Sequence, residues 1–137
     1  MQKKLSRTSA FTMIELLVAA TIIIVLTTLA LVSFNQANIS VRNGKRKADL
    51  DTMRQALLLY KQDNGYYAVG SSVSFPALVS VLYGAEYLSE ATLQDPKNSG
   101  SYVYQASCTS VNAGNCVKVT LQAILEPSAT TYEIIAL

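Results

Sequence analysis

The sequence predicts an α+β protein. A long N-terminal helix, apolar all round in its first half, packs by its second half on a small head with a short helix and a three-stranded antiparallel sheet. Three observations carry this reading. From Leu16 to Val41 there is no charged residue. Leu50, Met53, Leu57 and Tyr60 then recur at three- and four-residue steps, the stripe of an amphipathic helix. Near the C-terminus, Val117, Val119, Leu121 and Ala123 alternate with Lys118, Thr120 and Gln122, the period of two of a half-buried strand.

The elements follow in order. The apolar run exceeds the roughly 20 residues that span a bilayer as a helix. It is also longer than the core of a cleaved secretory signal, typically about 7–15 residues. Thr21, Thr27 and Thr28 are tolerated inside it because their hydroxyls can bond back to the helix backbone. Neither Pro nor a Gly pair interrupts Asn35 to Asp63, and Asn64-Gly65 is a good stop because Gly accepts the left-handed conformation of a C-cap. The expected helix runs from about Phe11 to about Asp63, roughly 80 Å at 1.5 Å per residue. Gly44 weakens it locally and permits a bend. Gly70-Ser71-Ser72 reads as a loop, and Ser74-Phe75-Pro76 opens a short helix with body Ala77 to Leu82 and Gly84 as its stop. Asp95 to Gly100 is dense in turn residues. Strands are expected around Ser101 to Ala106, Val117 to Ala123 and Thr131 to Leu137, with Glu126-Pro127-Ser128-Ala129 as a turn. The resulting domains are a basic leader 1–10, an apolar helix 11–36, its amphipathic continuation 37–63 and a head 64–137.

Composition excludes several chemistries. The 137 residues contain no His, so neither a His-based triad nor an imidazole metal site can form. Cys108 and Cys116 are the only cysteines, and their spacing is neither a CxxC redox motif nor a zinc set. They flank the turn-like tip Asn112-Ala113-Gly114-Asn115 and would sit opposite each other at the ends of two paired strands, where a disulfide could staple a head too small for a large core. A net charge of +2 is too small to imply nucleic acid as a partner. Lys3, Lys4 and Arg7 lie in the leader, so its loss would take side-chain charge from +2 to −1. No cofactor, metal or catalytic residue is expected. The basic stretch Arg42-Asn43-Gly44-Lys45-Arg46-Lys47 could meet nucleic acid or anionic lipid; a solvated helix face, or pairing with acids of a neighbouring subunit, is the preferred reading. The eight Tyr are read as core and interface packing.

Glu15 is the anomaly. It lies inside the start of the apolar run, where an ionisable residue is a functional hypothesis by default. Between residues 8 and 41 there is no Lys, Arg or His, so no side-chain cation is near it. The remaining cation is a terminal amine, which reaches this depth only if the chain begins at Phe11. Orientation is ambiguous by positive charge alone, because Arg42, Lys45, Arg46 and Lys47 outnumber the leader's basic residues. Their distance from the run, the offset by Asp49 and Asp51, and the cysteine pair place the head outside.

A basic leader, a small residue, then Phe11-Thr12-Met13-Ile14-Glu15 and a long apolar run resembles the class III signal of type IV prepilins and of the pseudopilins of secretion and competence systems. Leu59 to Tyr67, and Leu93-Gln94-Asp95-Pro96 followed by Tyr102-Val103-Tyr104, resemble further segments of that family. The resemblance implies cleavage after Ala10 by a prepilin peptidase, N-methylation of Phe11, extraction from the cytoplasmic membrane by an assembly machinery, and stacking into a helical homo-oligomeric filament. Glu15 would face the Phe11 amine, and the filament would be extracellular or periplasmic. Several positions depart from the pattern. Ala10 stands where Gly is usual, no Pro lies near Val32, Ala68 follows Tyr67, and no acidic C-terminal loop offers a calcium site. The expectation is a structural pilus subunit without catalytic activity. A pseudopilin of a type II secretion or DNA-uptake system is the alternative, and a signal-anchored enzyme or binding module is the third reading.

Overall fold

A computed structural model describes residues 11–69 and 74–137. The leader with Ala10, and the Gly70-Ser71-Ser72 loop, lie outside the described residues. The fold is α+β as expected: α1 (Met13–Asn64), α2 (Phe75–Gly84), β1 (Gln105–Asn112), β2 (Asn115–Leu125) and β3 (Thr130–Ala136). Two compact units divide the chain, Met1–Asn38 and Ile39–Leu137.

In the first unit, large apolar side chains from Phe11 to Phe34 are between 48% and 91% exposed. By length and composition this helix can cross a membrane. Its hydroxyls are satisfied without a partner helix: Thr21, Thr27 and Thr28 donate to the carbonyls of Val18, Ile23 and Val25 at 2.8, 2.6 and 2.8 Å.

In the second unit the helical stripe does what its spacing demands. Leu50, Met53 and Leu57 are fully buried, and Tyr60 packs half-buried beside them. Against them lie Phe75, Leu78, Val79 and Leu82 of α2 and the inner face of β2, Val119, Leu121 and Ala123. α1 passes unbroken through Gly44 and ends as Gly65, at φ +83°, donates to the Lys61 carbonyl at 2.7 Å. The sheet has order β1-β2-β3, antiparallel throughout. Asn112 pairs with Asn115 across a two-residue turn in which Ala113 and Gly114 both take positive φ, 49° and 84°, the geometry that suits the twist of a hairpin.

Two expectations need correction. β1 begins at Gln105, not Ser101. Residues 99–103 curl instead: Tyr102 N–H donates to Ser99 O at 3.1 Å, and Gly100 takes φ +60°. The Tyr102 ring is drawn out of the ladder by two cations, with Lys97 Nζ 4.2 Å and the Arg46 guanidinium carbon 5.0 Å from its centroid. Second, Arg42 and Arg46 are not on a solvated face. They bind acids of their own head.

This ion cluster ties two loops to α1. Arg46, fully buried, holds Asp95 through Nε and Nη2 at 2.6 and 3.0 Å, reaches Glu126 at 2.9 Å and donates to Asn43 at 2.8 Å. Arg42 forks onto Glu126 at 2.9 and 2.7 Å. Asn43 brackets the Glu126 backbone, donating to its carbonyl at 2.7 Å and accepting from its N–H at 3.0 Å. Arg42, Asn43 and Arg46 share one helix face because residues three and four apart are neighbours there. Hydrogen bonds from Arg42, opposed by burial and reinforced by Arg46, hold the Glu126 carboxyl at about 2, against an ordinary 4.5. Burial pushes Asp95 up, but Arg46 and the Lys97 backbone N–H outweigh it and leave that carboxyl low. Asp49 is shifted the other way: burial raises it, although Tyr104 donates to it at 2.7 Å.

Two outcomes follow from the cluster. Arg46→Leu strands Asp95 as an uncompensated buried charge and should lower unfolding free energy by about 3–5 kcal/mol in denaturant titrations. A Lys45→Leu control should change it by less than about 0.5 kcal/mol. Carboxyls depressed in the folded state stabilise it above their unfolded pKa and lose that contribution as pH falls through the folded value. The Glu126 contribution should therefore be full above pH 4.5 and disappear toward pH 2. Asp49, raised, opposes this by favouring the acid side. Thermal melts across that window should show a decline that Glu126→Gln abolishes in part.

Candidate functional site

The first turn of α1 is the candidate site. Thr12 precedes the helix, and Glu15 is its third residue. Glu15 N–H donates to Thr12 Oγ1 at 3.3 Å, while Glu15 Oε2 accepts from Thr12 N–H and Thr12 Oγ1, both at 3.0 Å. This reciprocal arrangement is a capping box, in which a Thr and the Glu three residues on satisfy donors that the helix leaves orphaned. The carboxylate also sits where the positive end of the helix dipole favours it. Thr12 is the residue that sequence reasoning passed over; the signal was the Thr-x-x-Glu spacing at a helix start. α1 accordingly starts at Met13, two residues after the expected Phe11.

Glu15 is thus not without a partner, but its partner is neutral. Its Oε1 accepts no hydrogen bond among the described residues. Phe11 lies just outside the helix and is 80% exposed. A free amine on Phe11 would come to the same helix end that Glu15 occupies, and among the described residues no Lys or Arg precedes Arg42.

Comparison with protein-family models, with curated proteins and with solved structures finds no match. The arrangement of the residues therefore carries the functional argument.

In the second unit, Cys108 and Cys116 form the expected disulfide, with Cα atoms 5.9 Å apart. They are not direct cross-strand partners. Cys108 faces Val119 and Val111 faces Cys116, because the ladder shifts register between Cys108 and Val111. The irregularity carries the two cysteines together from offset positions. Cys116 is also tied to the segment after α1, since its carbonyl accepts from Tyr67 N–H at 2.9 Å. The disulfide thus fastens the hairpin tip at the point where the end of the helix returns to the sheet.

A concavity of about 650 Å³ lies between α2, the 91–95 loop and the start of β1, walled by Phe75, Val79, Leu93, Val103 and Tyr104. Asp95 is its one charged residue and is held by Arg46. The hollow offers no pair of free titratable groups for acid–base work. Among the described residues no cluster of His, Cys, Asp or Glu could hold a metal ion.

The capping box is open to a direct test. Thr12→Val keeps the shape of the side chain, removes the hydroxyl and should destabilise the first turn by about 1 kcal/mol. Amide hydrogen exchange of the full chain in detergent should show faster exchange at residues 13–16 and unchanged protection in β2.

Proposed function

We propose that this chain is a structural subunit of a type IV pilus-like filament. It would be inserted with its head outside the cytoplasmic membrane, cut after Ala10, methylated on Phe11 and assembled through the apolar half of α1. The carrying observation is the apolar half of α1, whose large side chains are 48% or more exposed on every side. An apolar surface of that extent requires a cover. Lipid supplies it for a monomer, and the same surface of other copies supplies it in a filament. A membrane anchor with a capped first turn accounts for the exposure and for the Thr12–Glu15 pair; the filament reading adds a cation for the free Oε1.

The capping box adds a physical step to this reading. Thr12 fixes the Glu15 carboxylate at the helix end, so desolvating it in lipid does not leave it bare. Release of the Phe11 amine by cleavage would supply a cation for the free Oε1, and a paired charge survives burial where a bare one does not. Before the cut, the amine lies ten residues away beside the leader's lysines, and the pair cannot form. The leader in this view is a lock on assembly. The disulfide-stapled head suits an oxidising exterior.

Mass analysis of the mature N-terminus decides the first step: a chain beginning at methylated Phe11 is expected, and an intact Met1 or a start after Ala20 or Ala30 overturns the proposal. Glu15→Ala should leave membrane insertion unchanged and abolish filaments in sheared surface fractions. Normal filaments from that variant would remove the role given to Glu15.

A further inference from the structure

β1 is an edge of the sheet, because the strand order is β1-β2-β3. β2 pairs with it on one side, and on the other its backbone makes no hydrogen bond among the described residues. Proteins guard such edges with charge, with Pro or with a bulge. Residues 105–112 contain neither a charge nor a Pro, and the register shift lies between Cys108 and Val111. Residues 105–108 are therefore a regular, unguarded edge. β3, the other edge, carries Glu133. The hollow of about 650 Å³ adjoins the unguarded stretch, since Tyr104, Gln105 and Ala106 all line it. Successive residues of an extended chain point to opposite faces, so a hollow touching all three lies along the edge rather than under one face. β2 occupies the opposite edge, which leaves the free one. Phe75 and Val79 of α2, with Leu93, form the apolar wall across from it. Asp95 is the one charged residue in the lining, and its carboxylate is already engaged: Oδ2 accepts from Arg46 at 2.6 Å, and Oδ1 accepts from Arg46 at 3.0 Å and from the Lys97 N–H at 2.8 Å. The amides of Gln94 and Asn98, also in the lining, bond each other at 2.9 Å.

We propose that the free edge at residues 105–108 and the adjoining hollow bind an extended, uncharged segment of a partner protein, which adds a fourth strand to the sheet and seats a large apolar side chain in the hollow. An open strand edge presents unpaired N–H and C=O groups, which an extended backbone satisfies and a helix does not. In this mode main-chain bonds supply affinity, and a pocket for alternate side chains supplies selectivity. The charge pattern selects the occupant. With Asp95 already met by Arg46, an ionic side chain would lose its water in the hollow and gain no partner, whereas an apolar one gains by burial. β3 of a second copy is the poorer occupant. Its inward side chains, Tyr132, Ile134 and Ala136, pack in their own core and leave nothing to fill the hollow. The contact does not involve the apolar half of α1, so it stands whether or not the chain forms filaments.

The test uses the full-length chain in detergent and a fluorescein-labelled, end-capped peptide, Leu-Thr-Leu-Thr-Leu, read by fluorescence polarisation. Saturable binding is expected. The same peptide with Ala in place of each Leu should bind about tenfold more weakly or worse, because the hollow is then left unfilled. The Leu peptide with its backbone amides N-methylated should not bind, since it keeps the side chains and loses the main-chain donors. Val103 lines the hollow and is 36% exposed, so Val103→Asp sets a charge in the hollow without disturbing the core and should weaken binding about tenfold. Val111→Asp, on the same strand beyond the register shift, should leave binding unchanged. Absence of binding, or equal binding of the Ala or the N-methylated peptide, would overturn the proposal, as would full affinity in Val103→Asp. Self-association that Val103→Asp abolishes, with no peptide binding, would overturn it in favour of a second copy at the edge.

Discussion

The buried guanidinium of Arg46 is the constraint on which the head depends. A fully buried cation is tolerable only if its donors are met, and here they meet Asp95, Glu126 and Asn43. Meeting them fixes two turns that have no reason to lie together in sequence, 49 and 80 residues from Arg46. The Asp95 turn positions the entry to β1, and the Glu126 turn positions the link from β2 to β3. Hydrophobic burial supplies the bulk of the driving force, through Leu50, Met53 and Leu57 against β2. That force is non-directional. The ion cluster adds direction, because a forked guanidinium accepts carboxylates only in its own plane.

The first turn of α1 uses the same rule at a smaller scale. A carboxylate in an apolar stretch is satisfied locally by Thr12 through Oε2, and its Oε1 accepts no hydrogen bond among the described residues. Both sites handle a polar group in an apolar setting by supplying hydrogen bonds first. In the head the compensation is complete within one chain. At the N-terminus it is partial, and the proposed function follows from what is missing.

Much of this was legible in the residues, and the failures have a common cause. The stripe Leu50, Met53, Leu57, the Gly65 stop, the Pro76 helix start and the alternation along Val119, Leu121 and Ala123 are local signals, and local physics honours them. The disulfide was legible from the turn between its cysteines, but its offset register was not, since a bulge leaves no mark at that spacing. Ser101 to Ala106 alternates like a strand yet curls at its start, where Lys97 and the sequence-distant Arg46 hold the Tyr102 ring. The pairing of Arg42 and Arg46 with Glu126 and Asp95 was invisible for the same reason. A basic run shows its sign but not the acids that a fold brings to it. Thr12 was legible and was missed: its spacing to Glu15 is a capping signal, hidden by attention to charge alone.

The span between Arg42 and Glu126, 84 residues, also sets an order of events as the chain is made. α1 emerges first and can form at once from its own hydrogen bonds. Its apolar stripe meets α2 first and β2 later, Arg46 can reach Asp95 before β2 is made, and Arg42 waits for the turn that follows β2. At about 5–20 residues per second, that interval is roughly 4–17 s. Until β2 is made, α2 is the element that can cover Leu50, Met53 and Leu57. α2 and Asp95 come before the central strand, whereas β2 and the Glu126 turn come after them, so the packing of α1 is completed only when those later segments are made. A holding factor for the nascent chain would have a defined target, the inner face of α1, and a defined moment of release.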